Sequence, residues 1–134
     1  MSWFVEGWRW YLDSWKNYSN FKGRSRRKAY WYFNLFHYGI MIHSFVLALF
    51  VLKSIPLLIL VGIYICASIV PVIAVTVRRL QDTDHDWAWL YVPFPFRLDV
   101  LTEDSQPKDN KYGPDPKKDE RFNVYDSDLF QQAK

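Results

Sequence analysis

The stretch FNLFHYGIMIHSFVLALFVL, Phe33 to Leu52, followed after Lys53-Ser54 by IPLLILVGIYICASIVPVIAVTV, Ile55 to Val77, decides the fold. The two segments are 20 and 23 residues long and carry no formal charge, so each exceeds the length a helix needs to cross a ~30 Å hydrocarbon core. A two-residue polar connection cannot hold a domain. The segments therefore predict a tight antiparallel transmembrane hairpin, 33–52 and 55–77, with both outer ends on one side of the bilayer. The mean hydropathy of −0.19 averages this apolar middle with two polar ends and does not decide the class.

Working outward, charge is uneven. Residues 1–32 hold seven Lys/Arg against Glu6 and Asp13, whereas residues 97–134 hold seven Lys/Arg against nine Asp/Glu. The overall net charge of +3 thus reflects a basic flank beside the first span and gives no reason to expect a nucleic-acid partner. Lys22, Arg24, Arg26, Arg27 and Lys28, followed by Tyr30, Trp31 and Tyr32, predict a cytoplasmic flank, with both chain termini cytoplasmic. The first 30 residues lack a basic region followed by a short apolar run, so they are expected to remain in the mature protein.

Ahead of the flank, Phe4, Trp8, Tyr11, Trp15 and Tyr18 recur at helical spacing. Trp and Tyr favour the headgroup boundary, so residues 1–32 read as an amphipathic interfacial helix plus the basic flank, with Trp8, Tyr11, Trp15, Tyr30 and Trp31 as anchors. A soluble core helix is the plain alternative. Gly23 permits the turn that follows, and Ser25 is a candidate cap for the next helix.

Within the spans, His43 falls near the bilayer midplane, where a polar side chain is costly. It predicts an intramembrane polar contact, a hydrogen bond across the helix pair, with a cofactor or pigment ligand or a proton relay as alternatives. His37 and His43 are six residues apart and cannot ligate from one helical face. Pro71 should kink the second span, and Gly62, Cys66 and Ala67 form a small-residue strip. The lone Cys66 excludes an intramolecular disulfide.

After the hairpin, residues 78–96 comprise Arg78, Arg79 and Asp82, then Asp84-His85-Asp86, then Trp87 to Phe96. The last run has ten residues and two prolines, too short to span as a helix, and reads as an interfacial or re-entrant segment anchored by Trp87 and Trp89. Arg24, Arg26, Arg27 and Lys28 are expected to face Arg78 and Arg79, with Asp82 bridging the basic groups in an ionic junction. The same arginines could converge on a lipid headgroup or another phosphate. One imidazole between adjacent carboxylates does not make a metal site, and no catalytic or metal-ligating set is assigned. Residues 97–134 read as an extended polar tail.

Three motifs stand in order: Tyr18-x-x-Phe21-x-Gly23-Arg24-x-x-Arg27-Lys28-x-Tyr30-Trp31; Arg78-Arg79-Leu80-x-Asp82-Thr83 with Trp87 behind it; and Asn110-x-Tyr112-Gly113-Pro114-x-Pro116. Together they resemble the signatures of the domain-of-unknown-function 805 family, small bacterial inner-membrane proteins. The resemblance implies an inner-membrane location and several transmembrane helices, and implies no activity. The chain departs from the family pattern at Gln81, where a His is usual, at Asp84, His85 and Asp86, and in a third span cut to Trp87–Phe96.

The expected protein is an all-α membrane protein acting as a non-catalytic accessory or assembly subunit with a hetero-oligomeric membrane partner. A module binding anionic phospholipid is the second reading, and a transporter component or enzyme the third. No cofactor is predicted; a bound phospholipid is.

Overall fold

The computed structural model describes residues 2–123, which are helical throughout apart from connecting turns and one isolated bridge. In order they form α1 (Ser2–Lys16), α2 (Arg27–Val46) continued by a π turn (Leu47–Val51), α3 (Ile55–Asp82), a 3₁₀ turn (Trp87–Tyr91) and α4 (Phe94–Thr102). The chain divides into two units: residues 1–21 with 28–76, and residues 22–27 with the chain from Val77 on.

The first unit contains the hairpin. Both of its long helices are apolar enough to cross a membrane, and α3 at 28 residues is about 42 Å long. Leu35, Ile42, Phe50, Ile55, Ile59, Leu60 and Ile63 are exposed, which in a bilayer places them in lipid. The turn is as short as the sequence requires. Lys53 takes a left-handed conformation (φ 45°), and the Ser54 Oγ accepts from Leu57 N at 3.4 Å, capping α3 ahead of Pro56. The first helix reaches this turn through π geometry: Leu52 N–H donates to Leu47 O at 2.9 Å. Pro71 removes one intrahelical donor, yet α3 continues through it to Asp82, five residues beyond the expected end at Val77.

α1 packs its ring face against the hairpin. Gly7 is buried, and a Cβ there would come within 2.7 Å of both Phe36 and Tyr32, so only glycine lets the two helices approach this closely. Around this notch Phe4 and Trp8 meet Phe36 at 5.3 and 5.7 Å, and Tyr11 stacks on Phe33 at 5.7 Å. Tyr18, expected on the same stripe, lies beyond the helix and is exposed.

In the second unit, α3 stops at a left-handed Asp84 (φ 62°), with His85 N bonded to Leu80 O and Asp84 N to Gln81 O, a Schellman closure. Asp86 then accepts from Trp87 N at 2.7 Å and caps the 3₁₀ turn. Here the expectation from sequence needs correction. The boundary at Phe96 does not hold, because a helix runs across it, and residues 97–123 are not an extended tail. Pro93 and Pro95 occupy the N-terminal positions that a helix tolerates, so α4 starts inside the aromatic run and buries Val100 and Leu101. Residues 103–123 continue in turns and a helical stretch from 118. The tail expectation for residues 124–134 lies outside the described residues.

Candidate functional site

The arginine junction exists, and it is assembled from three distant pieces of chain. Gly23 (φ 101°) provides the turn that aims Arg24, and Ser25 N–H donates to Arg78 O at 3.0 Å, holding the turn in place. Asp82, in the last turn of α3, receives Arg24 Nε on one oxygen at 2.9 Å and Arg79 Nη1 on the other at 2.5 Å. All three side chains are sealed, at 1% exposure for Arg24 and 0% for Arg79 and Asp82.

The remaining guanidinium donors are spent on backbone carbonyls. Arg24 reaches Lys108 O at 2.7 Å and Gln106 O at 2.8 Å, with longer contacts to Asp82 O and Gly113 O, both 3.4 Å. Arg79 reaches Leu101 O at 3.2 Å and Glu103 O. Two buried cations with one carboxylate are tolerable only because these carbonyls accept what Asp82 cannot. The junction therefore folds residues 101–113 around itself.

The third motif is shaped to be gripped. Asn110 and Gly113 exchange backbone hydrogen bonds at 3.1 Å, Tyr112 N–H donates to the Asn110 side chain at 3.0 Å, and Gly113 is left-handed (φ 144°). Asn110 Nδ2 donates to Gln81 O at 2.9 Å, tying the turn to α3. Parts of all three motifs noted in the sequence thus meet in one network.

Around this core the other basic residues separate. Arg26 donates through Nε and Nη2 to Pro116 O, and through Nη1 to Glu120 at 2.5 Å. Arg27, more exposed, donates to Thr102 O at 3.2 Å. Arg78 contributes its backbone carbonyl to Ser25. Lys28 does not join the junction: it pairs with Glu6 in the first unit at 3.7 Å, on the surface. Arg121 was not foreseen. It clamps Asp115 at 2.6 Å and Ser105 O at 2.7 Å. Asp104 pairs with Lys117, and this hydrogen bond holds its carboxyl below the usual carboxylate range against a smaller opposing effect of burial.

The remaining candidates sort by burial. Tyr11 and Tyr30, expected as interfacial anchors, are core residues at 6% and 5% exposure. Trp8, Trp31 and Trp87 are exposed, while Trp15 and Trp89 are half-buried. His85 bonds Thr83 Oγ1 at 3.0 Å and sits edge-on to Trp89, so it helps terminate the helix. His43 makes no bond across the helix pair in this structure; its Nδ1 lies 2.7 Å from Gly39 O of its own helix. The bond across the pair comes from His37, whose Nδ1 is 2.7 Å from Tyr64 Oη, which in turn is 3.1 Å from Tyr11 Oη. Spacing alone separated the two histidines but could not say which one meets a neighbour.

The fold and this network define an all-α membrane protein with a clamp built on buried arginines. The chain belongs to the family described as Protein of unknown function (DUF805), which matches residues 18–114 and so spans the three motifs. It is 36% identical over 115 residues to "Inner membrane protein YhaI" and 41% identical over 120 residues to "Inner membrane protein YhaH", both of Escherichia coli K12. Each alignment covers 81% of this chain and 96% of the relative. No solved structure matches the chain.

Proposed function

We propose that this chain is an accessory or assembly subunit of a larger complex in the bacterial inner membrane, with no chemistry of its own. The observation that carries the reading is the closure of the junction. Arg24 and Arg79 are sealed at 1% and 0% exposure and committed to Asp82 and backbone carbonyls. A phosphate would have to displace a carboxylate and several carbonyls to reach them, so the arginines act as a fastening for the segment 101–116. A chain that spends its strongest charges on holding a short segment in one shape is built as a rigid platform for another protein.

The relatives' printed names support the inner-membrane location, and the basic run Lys22–Lys28 supports cytoplasmic termini. Trp87, Tyr91, Phe94 and Phe96 are exposed together along the 3₁₀ turn and the start of α4, and supply an apolar ridge for a membrane surface or a partner.

Purification through a C-terminal tag in gentle detergent, followed by native mass spectrometry with lipids retained, tests this. A stoichiometric complex with a second protein is the expected result. A lone chain or homo-oligomer carrying anionic phospholipid, with lipid retention lost on charge reversal of Arg26 or Arg27, overturns the subunit reading in favour of lipid binding.

A further inference from the structure

The clamp leaves the run from Trp87 to Arg97 unexplained. Trp87, Tyr91, Phe94 and Phe96 are each more than half exposed, and the rings of Trp87 and Tyr91 stand edge to face at 6.1 Å. Single exposed rings are ordinary, but four within ten residues make an apolar patch of the kind that meets another phase or another molecule. The position of the run favours lipid. α3 continues without a break from the span to Asp82, and Trp87 follows five residues later. Between Val77 and Trp87, five helical steps rise about 1.5 Å each and five further steps extend at most about 3.6 Å each, so the patch begins within ~26 Å of the end of the span. It is therefore tethered beside the headgroups, the depth that Trp and Tyr favour. α4 is nine residues, about 14 Å, and is too short to cross a ~30 Å core itself.

Charge points the same way. Arg24, Arg26, Arg27, Arg79 and Arg121 all direct their guanidiniums at carboxylates or carbonyls. Arg97, at the end of the first turn of α4, has no hydrogen-bond or ion-pair partner among the described residues, and its buried Nε meets no acceptor. Asp99 does not answer it, lying two residues on and about 200° round the helix. Side chains on a helix lean toward its N-terminus, so Arg97 leans back toward Phe94 and the rings. A phospholipid supplies both missing partners at once, acyl chains for the rings and a phosphate oxyanion for the guanidinium. The segment 84–99 carries Asp84, Asp86 and Asp99 against this one arginine, so the contact is with a single phosphate and not a diffuse attraction to an anionic surface.

We infer that the run from Trp87 to Arg97 is a membrane foot: the rings of Trp87, Tyr91, Phe94 and Phe96 enter the headgroup–acyl boundary, and the Nη groups of Arg97 bind the phosphate of one phospholipid. This goes beyond the subunit reading and does not depend on it.

The test uses the full chain in nanodiscs of phosphatidylethanolamine and phosphatidylglycerol, with Cys66→Ser and a spin label at Ala88→Cys, which shares the exposed face of the 3₁₀ turn with Tyr91. That label should collide more with oxygen than with a water-soluble nickel chelate, and a control label at the exposed Lys108→Cys should show the reverse. Phe94→Ser combined with Phe96→Ser should bring the Ala88 label within reach of the chelate. Arg97→Gln should lower phospholipid retention in native mass spectrometry roughly fivefold, the effect of one arginine at a lipid surface, and Arg97→Lys should restore part of it. Hydrogen-exchange protection of residues 101–116 should be unchanged in Arg97→Gln. Retention unchanged in that variant, or protection lost with it, overturns the phosphate contact. An Ala88 label open to the chelate, or spin–spin broadening from a second copy, overturns the foot. A label shielded only inside a complex with a second protein also overturns the foot but leaves the subunit reading standing. A lipid-facing label with Arg97-dependent retention, in a chain that forms no hetero-complex, upholds the foot and overturns the subunit reading.

Discussion

In the first unit, aromatic packing dominates and a short polar chain is threaded through it: Tyr11, Tyr64 and His37 bond one another at 3.1 and 2.7 Å among Phe33, Phe36 and Trp15. In the second unit an ion network shares the core with aliphatic side chains: Arg79 and Asp82 rank with Leu80 and Leu101 among its largest fully buried side chains. Ring packing degrades gradually, since neighbours relax around a changed volume. A buried ion network does not, because removing one member leaves the others charged and dry. The two units should therefore respond very differently to single substitutions.

The largest effect is expected at Asp82. Asp82→Ala leaves Arg24 and Arg79 buried without a counter-charge, at a cost of about 3–5 kcal/mol. In lipid nanodiscs, hydrogen exchange should show α4 and residues 103–116 losing protection while α2 and the apolar part of α3 keep theirs. Retained protection in α4 would erase the contrast between the units.

Gly7→Val comes next. Its side chain would collide with Phe36 and Tyr32, an overpacking worth about 1–3 kcal/mol, and α1 alone should lose protection. Equal loss in α4 would mean that the units are not independently stabilised.

Tyr64→Phe removes the shared hydroxyl and strands His37 Nδ1 and Tyr11 Oη, at about 1–2 kcal/mol. A double-mutant cycle with Tyr11→Phe should give a coupling energy clearly above zero, sharpening the claim that one polar chain links α1 to the hairpin.

The smallest effect belongs to the Asp104–Lys117 pair at the edge of the second unit. Its carboxyl is held below the usual range, so its contribution is complete above the ordinary carboxylate pKa of about 3.9 and is lost as pH falls through the lowered value. Asp104→Asn should remove that acid step from a pH titration of unfolding. At neutral pH it should cost under about 1 kcal/mol, because the carboxylate is half exposed.

Some of this was legible in the residues themselves. The uncharged run of 23 residues after Lys53-Ser54 admits no other reading in a bilayer, and Arg79, Asp82 and Arg24 announced an ionic junction by type alone. The junction's membership was not legible, since Lys28 pairs with Glu6 instead while the carbonyls of Leu101, Glu103, Gln106 and Lys108 enter. Carbonyls carry no sequence signal. Nor does composition reveal that a polar stretch rich in Pro and Asp will fold: residues 101–116 are shaped because distant guanidiniums need acceptors.

Periodicity had similar reach and similar limits. It placed Phe4, Trp8, Tyr11 and Trp15 on one face of α1 but not what that face meets, which Gly7 decides by letting α2 come close. By itself, then, the sequence determined that two helices cross a membrane and that charge gathers at their outer ends, because burying an unpaired peptide group or charge in lipid is too costly for any alternative. Only the tertiary structure decided which arginines share Asp82, which histidine reaches Tyr64, and where the chain after α3 turns back. Those choices depend on side chains far apart in sequence arriving within 3 Å of one another, and spacing along a chain does not encode such distances.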